Sequence, residues 1–264
     1  MRGWSRRLVL VMLLLGPGEV IAGEAALRIA VEGSYPPFNE VDRKGKLSGF
    51  DVDIANALCV ELKRKCMLIR REWADMQEAV LGNNPTFWNG VDAIVSSVSI
   101  TETRRQTAEF TKKYYQVPAR FVRKKGAPYE GVAAALTGKR VGVQGSTTHD
   151  AFLTSTFGPS VQIVRYATLG EAAGALRAGQ IDLLMADALA VEHGLLRTAE
   201  GSTLEFTGPA YIDAGWFGEG VGIAVKKGDQ GLVERLNRAI DAVRANGTYG
   251  RIATKYFGFD IYGD

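Results

Sequence analysis

The chain is short of the residues from which metal sites are built. It has two histidines (His149, His193) and two cysteines (Cys59, Cys66) in 264 residues. With so few, a zinc site is poorly supported, and neither a metal nor a cofactor is expected. No G-x-x-x-x-G-K-[ST] phosphate loop occurs. The lone "GEGVG" at 218–222 precedes a strand-like run instead of following one, which is the wrong order for a dinucleotide fingerprint. A surplus of charge of one sign is lacking too. Lys and Arg number 32 against 29 Asp and Glu, a net +3, and clusters such as "KRKC" and "VRKKG" read as solvated faces. So small a balance argues against bulk attraction to nucleic acid. Long apolar runs are missing as well: residues 8–15 form a run too short to cross a bilayer.

That short run has a meaning of its own. Arg2, Arg6 and Arg7 precede it, and Ala22, Gly23 and Ala25 follow, the layout of a secretory signal peptide over residues 1–25. The segment carries +1, which leaves the remainder near +2. No Cys lies near the cleavage region, which argues against a lipid anchor. Export favours a disulfide between Cys59 and Cys66, with two free thiols as the alternative.

Strand-like and helix-like patterns alternate through the rest. "LRIAV" (27–31), "CMLIR" (66–70), "VDAIVSS" (91–97), "RFVRK" (120–124), "RVGVQ" (140–144), "VQIVRY" (161–166), "IDLLMA" (181–186) and "GVGIAV" (220–225) read as strands. Helical patterns mark 50–63, 101–110, 147–156, 169–179 and 230–247, another helix follows the 181–186 strand, and "TYGRIATKYFG" (248–258) closes the chain. Such alternation implies an α/β fold with mostly parallel sheets covered on both faces. "NGVDAIVSSVS" (89–99) and "AGQIDLLMADA" (178–188) echo one another: a Gly, a hydrophobe, an Asp, then an apolar strand ending in polar groups. Two similar units would place those groups at carboxyl ends of strands, where open α/β sheets bind ligands. Two lobes facing across a cleft would set the serines at 96–99 opposite Asp187.

The candidate site follows from those ends. "SITE" (99–102) fits a capping box with Ser99 as N-cap, and Arg104 then falls in the first helical turn, where a cation opposes the macrodipole unless an anion is held there. "GVQGSTTHDAF" (142–152) offers a second helix start at Ser146, Thr147 and Thr148. Arg104 with two helix N-termini suits a carboxylate; Asp187 with serine oxygens suits an ammonium. Together they make a zwitterion site. Glu32 at the end of the first strand, with Tyr35 and Trp73, suits a long cationic side chain through ion pairing and cation–π contact. Arginine ranks above lysine because its planar guanidinium both stacks and takes a carboxylate bidentately. His149 is expected on a solvent-facing helix surface.

At this level of detail the chain resembles the periplasmic lysine/arginine/ornithine- and histidine-binding proteins, the polar amino-acid class of solute-binding proteins that feed ABC importers. The likeness covers nearly all of 26–264. It is carried by "EGSYPPFN", "GKLSGFDVDIANALC", Cys59 with Cys66, "DAIVSSVSIT" plus Arg104, "GVQGSTT", "DLLMADALA", "GVGIAVKKGD" and "NGTYGRIATKYFGFDIYGD". The resemblance implies a two-lobed Venus-flytrap fold (type II) with two hinge crossings, a small disulfide and closure on one amino acid. By its pattern Arg104, Ser99 and Thr147 correspond to α-carboxylate ligands, and Asp187, Ser97 and Ser99 to α-ammonium ligands. Ser96, Tyr35 and Trp73 fall in the side-chain pocket. Trp73 stands where the family has Phe or Leu, and Glu32 where lysine/arginine binders have Asp; opine-binding relatives resemble "EGSY" more closely. Residues 82–90 are longer than the family's short connection.

The resulting expectation is a monomer in the periplasm. Lobe 1 comprises 26–117 and 213–264, lobe 2 comprises 118–212, and the partners are one amino acid and ABC permease subunits, with no nucleic acid. The competing expectation is a cyclohexadienyl dehydratase-like enzyme on the same fold, for which no positioned general acid is visible in the sequence.

Overall fold

The computed structural model describes residues 25–128 and 135–263. The expected signal segment lies outside the described residues except for its last position. The first series of strands is β1 (Leu27–Val31), β2 (Ser34–Tyr35), β3 (Asn39–Val41), β4 (Leu47–Ser48), β5 (Cys66–Arg70), β6 (Ala93–Ile94) and β7 (Ala108–Phe110). A second series follows: β8 (Ala119–Lys124), β9 (Arg140–Gln144), β10 (Gln162–Tyr166), β11 (Leu183–Asp187) and β12 (Leu204–Tyr211), before β13 (Ala224–Lys226). The helices are α1 (Phe50–Glu61), α2 (Trp73–Val80), α3 (Glu102–Arg105), α4 (Thr148–Thr156), α5 (Leu169–Ala178), α6 (Ala188–Val191), α7 (Ala214–Phe217), α8 (Gln230–Ala245) and α9 (Thr248–Phe257).

These strands form two five-stranded sheets and one small three-stranded sheet. The first sheet has the order β5-β1-β6-β13-β7, with β1 parallel to both neighbours and β13 antiparallel to β6 and β7. The second has the order β10-β9-β11-β8-β12, with β9 parallel to β10 and β11, and β8 antiparallel to β11 and β12. The fold is therefore two α/β lobes. The chain leaves the first sheet after β7, builds the whole second sheet, and returns for β13. Strands β1 and β9 have nearly continuous apolar runs because helices cover both faces. On α8, Leu232, Leu236, Ala239, Ile240 and Val243 make the buried stripe.

The internal echo proves to have two ends with different jobs. Asp92 accepts the backbone N–H of Arg28 (2.8 Å) and pairs with its guanidinium (2.7 Å). Asp182 does the same for Arg140, at 2.8 Å in both contacts. Each Asp pins the start of a neighbouring parallel strand, so the shared Asp is a registration device while the polar groups of each repeat lie at the opposite end.

Three local expectations change. The stretch 101–110 is one helical turn followed by β7, because 108–110 pairs with β13 more than a hundred residues away. Thr101, not Ser99, caps that turn, its Oγ accepting the N–H of Arg104 (3.3 Å); Ser99 is still extended, bridged to Val221. Helix α3 is a single turn, so Arg104 lies in its last turn as much as its first, and the macrodipole argument does not decide its placement. The strand expected over 91–97 pairs regularly at only two positions.

Cys59 and Cys66 form a disulfide across the end of α1 and the start of β5, with Cα atoms 6.1 Å apart. Closing so short a loop stabilises by roughly 2–3 kcal/mol at most. Reduction is expected to lower the denaturant midpoint modestly without unfolding the protein, and a thiol titration of the unfolded, unreduced chain should find no free cysteine. The longer connection at 82–90 is a buttress: Trp88, 6% exposed, packs in one cluster with Trp73, Met76, Ala79 and Val80 of α2. No helix among the described residues is long and apolar enough to cross a membrane.

Candidate functional site

The carboxyl ends of β1, β6, β9 and β11 converge on one cleft between the lobes, as open parallel sheets dictate. They deliver Glu32, the serines after β6, Gln144 and Asp187. The cavity there is lined by Glu32, Tyr35, Trp73, Ser97, Ser99 and Arg104 from the first lobe. The second lobe contributes Gln144, Thr147, Thr148, His149, Leu169, Met185, Ala186 and Asp187.

Eight of the ten residues named from the sequence therefore line one cavity. Two do not. Ser96 is fully buried behind it, its Oγ accepting the N–H of Glu32 (3.0 Å), so it fastens β6 to the end of β1. Ser146 lines an adjoining, more open cleft together with Gln77, Thr101 and Trp216. Thr148, named only as part of a helix start, and His149, expected in solvent, join the wall, and Gln144, Leu169, Met185 and Ala186 complete it without having been named. Of these only Gln144, ending a predicted strand, had a positional signal.

Arg104 is a buried guanidinium, 5% exposed, whose partners are neutral: Ser99 O at 2.9 Å and Gln77 Oε1 at 2.5 Å. Burial alone pulls its pKa down from 12.5 to about 10. A buried charge without a counter-charge costs several kcal/mol, so the site is built to receive an anion.

Asp187 stands across the cleft. Its carboxylate makes no cap bond to α6; instead Oδ2 accepts Tyr35 O–H (2.9 Å) and Oδ1 lies 3.2 Å from His149 Nε2. His149 is 6% exposed and faces the cavity, contrary to the expected solvent-facing position. Helix α4 presents one side to the lobe interface, and packing between lobes leaves no local periodic signal. The lack of a positioned histidine is thus no argument against an enzyme here.

Glu32 is 3% exposed, and burial raises its pKa from 4.5 to about 7 against the hydrogen bonds that favour the charged form. Both bonds, from Gln144 Nε2 (2.8 Å) and Ser34 Oγ (3.1 Å), go to Oε1. The bidentate pairing expected for a guanidinium does not fit a carboxylate with one oxygen already saturated. Behind the wall, fully buried Asp51 accepts Ser97 Oγ–H (3.1 Å), Tyr114 O–H (2.7 Å) and Asn39 Nδ2–H (2.8 Å). This commits the Ser97 hydroxyl hydrogen inward and leaves its lone pairs for the cleft. Ser97 and Ser146 both hold left-handed backbones (φ 54° and 58°), strain of the kind concentrated at binding sites. The lobes meet through Tyr35–Asp187, Gln144–Glu32 and Trp73 Nε1 donating to Gly145 O (3.0 Å).

A charge-lined cleft between two α/β lobes suits the capture of a small polar solute. Residues 27–259 match the model of the bacterial extracellular solute-binding proteins, family 3, and the chain belongs to that family. It is similar to the L-arginine-binding protein of Pseudomonas aeruginosa, with 44% identity over 92% of each chain. It is also similar to the lysine/arginine/ornithine-binding periplasmic protein of Escherichia coli, with 32% identity over 98% of this chain and all of that one. Among solved structures it resembles a Salmonella typhimurium periplasmic binding protein described for high arginine specificity. There the TM-score is 0.79 and the identity 28%, over 89% of this chain and 100% of that one. These relatives are all named as binding proteins, so the dehydratase alternative is not favoured.

Proposed function

We propose that this protein captures a free cationic amino acid, arginine before lysine, ornithine or histidine, in the periplasm and delivers it to the permease subunits of an ABC importer. The observation that carries the reading is Arg104: a buried guanidinium with only neutral partners, facing a carboxylate across the same cavity. An α-carboxylate would take Arg104 and the N-terminal turn of α4. Thr147 already donates its hydroxyl hydrogen to Gln144 O (2.8 Å), so its backbone N–H is what it offers. The α-ammonium would take Asp187 with Ser97 and Ser99, and the side chain would run between Tyr35 and Trp73 to Glu32. Ser96 and Ser146 would hold the two strand ends in shape. The names of the relatives support a cationic ligand. Export by residues 1–25 and action as a monomer belong to the same proposal.

The test is calorimetric titration with arginine, lysine, ornithine, histidine, citrulline, glutamine and an opine. Tightest binding of a cationic amino acid supports the reading; preference for glutamine or for no amino acid overturns it.

Closure would turn on the two crossings, near 115–120 and 208–217, with lobe 2 inserted in lobe 1. Gly194 marks where the lobes touch: a Cβ there would sit 2.6 Å from Pro36 O, a backbone atom of the other lobe. Gly194→Val is expected to hold the lobes apart, weaken the ligand at least tenfold, and leave the ligand-free melting temperature unchanged. Small-angle scattering of the variant with ligand should keep the open profile.

A further inference from the structure

Gln144 ends β9 in the second lobe and is 5% exposed. Its Nε2 donates to Glu32 Oε1 in the first lobe (2.8 Å) and to Ala167 O in its own lobe (3.1 Å). Both partners are acceptors, which fixes the orientation of the amide: the NH₂ faces Glu32. Ser34 Oγ donates to the same Glu32 oxygen (3.1 Å). Two donors fill the lone pairs of Oε1, and Oε2 takes no hydrogen bond among the described residues. Glu32 is therefore held in one orientation, with one oxygen tied back and the other free in the cavity.

We propose that Gln144 is the positioning residue that sets side-chain specificity, tying Glu32 across the cleft so that a single oxygen, Oε2, reads a cationic ligand, and only when the lobes are closed. This inference rests on the amino-acid reading above. A single acceptor satisfies an ammonium or one arm of a guanidinium. Preference for arginine then comes from stacking on Tyr35 and Trp73 instead of from a carboxylate fork. Because the amide is anchored on Ala167, the tie forms only as the second lobe arrives. Closure thereby favours the ionised Glu32 that the ligand cation needs, and an uncharged side chain gains nothing from it.

The experiment measures arginine and citrulline affinity (citrulline is the uncharged isostere) from pH 8 to 5.5 for wild type, Gln144→Leu and Ser34→Ala. The charged and titratable groups around Glu32 are Asp51, Glu72, Tyr35 and Arg70 (whose Nε donates to the Glu32 carbonyl, 3.3 Å) in its own lobe, and Arg104, Asp187 and His149 around the cavity. They are the same in all three proteins, so differences between profiles isolate the tie. For Gln144→Leu, arginine affinity should fall roughly tenfold at pH 7.5, the loss expected for a hydrogen bond to a charged group, and citrulline affinity by much less. The pH at which arginine binding is half lost should rise. Ser34→Ala, which keeps the cross-lobe contact, should move the midpoint the same way by a smaller step. Parallel loss of arginine and citrulline with an unmoved midpoint would overturn the proposal and leave Gln144 a plain structural tie. A wild type that binds neither ligand would overturn the amino-acid reading and this inference together.

Discussion

Replacing Arg104 by methionine is expected to weaken every amino-acid ligand at least thirtyfold while leaving the ligand-free protein as stable as before. The two halves come from the same fact. Arg104 is buried with neutral partners only, so the empty site carries an uncompensated charge, and a methionine of similar length removes that burden. What is lost is two neutral hydrogen bonds, of which the one to Gln77 leaves a buried amide oxygen unpaired. Replacing buried ions by apolar groups is often neutral or stabilising. With ligand the balance inverts, because an α-carboxylate would supply the missing counter-charge. Removing one member of a buried, hydrogen-bonded charge pair costs about 2–5 kcal/mol, or roughly 30-fold to several thousandfold. Calorimetry gives the affinity, and thermal unfolding without ligand gives the stability. A folded variant with unchanged affinity would remove the carboxylate from the model of binding. A large drop in ligand-free melting temperature would make Arg104 a structural residue.

How much of this was readable in advance divides along the range of the interactions. Strand ends were legible because a parallel α/β alternation leaves few places for polar groups: Glu32, Ser97, Ser99 and Asp187 all lie where that rule puts them. The N-cap was misread because "SITE" is a good local capping box, yet Ser99 is claimed by a bridge to Val221 from a distant segment. β7 was lost inside a helical pattern for the same reason, its partner β13 being far along the chain. Strands β2, β3 and β4 are two or three residues long, too short for any periodicity to register. His149 and Gln144 were missed because their significance exists only once two lobes face each other, and no window of sequence contains both sides of that cleft.

The second large effect concerns the charge of Glu32. Its pKa near 7, against an ordinary 4.5, is raised first by burial. A carboxyl with a raised folded-state pKa contributes stability that is present below 4.5 and lost as pH rises through about 7, on the order of 3 kcal/mol in total. Asp51, raised to about 6 by the same cause, pushes in the same direction. With the cleft closed and empty, the protein should therefore lose stability between about pH 4 and 7 through these two groups, and Glu32→Gln should flatten part of that slope. A ligand cation reverses the sign, since it favours the ionised form. Arginine should then bind about tenfold more weakly for each pH unit below 7, and near pH 6 its binding should release close to one proton. That release is measurable by titration in buffers of different ionisation heat. In Glu32→Gln the proton release should vanish and arginine affinity should fall about thirtyfold or more, while weak binding of a neutral amino acid persists. If the variant weakens all ligands equally, or if wild-type binding takes up no part in proton exchange near pH 6, Glu32 is not the reader of side-chain charge, and the preference for cations must come from the aromatic walls at Tyr35 and Trp73.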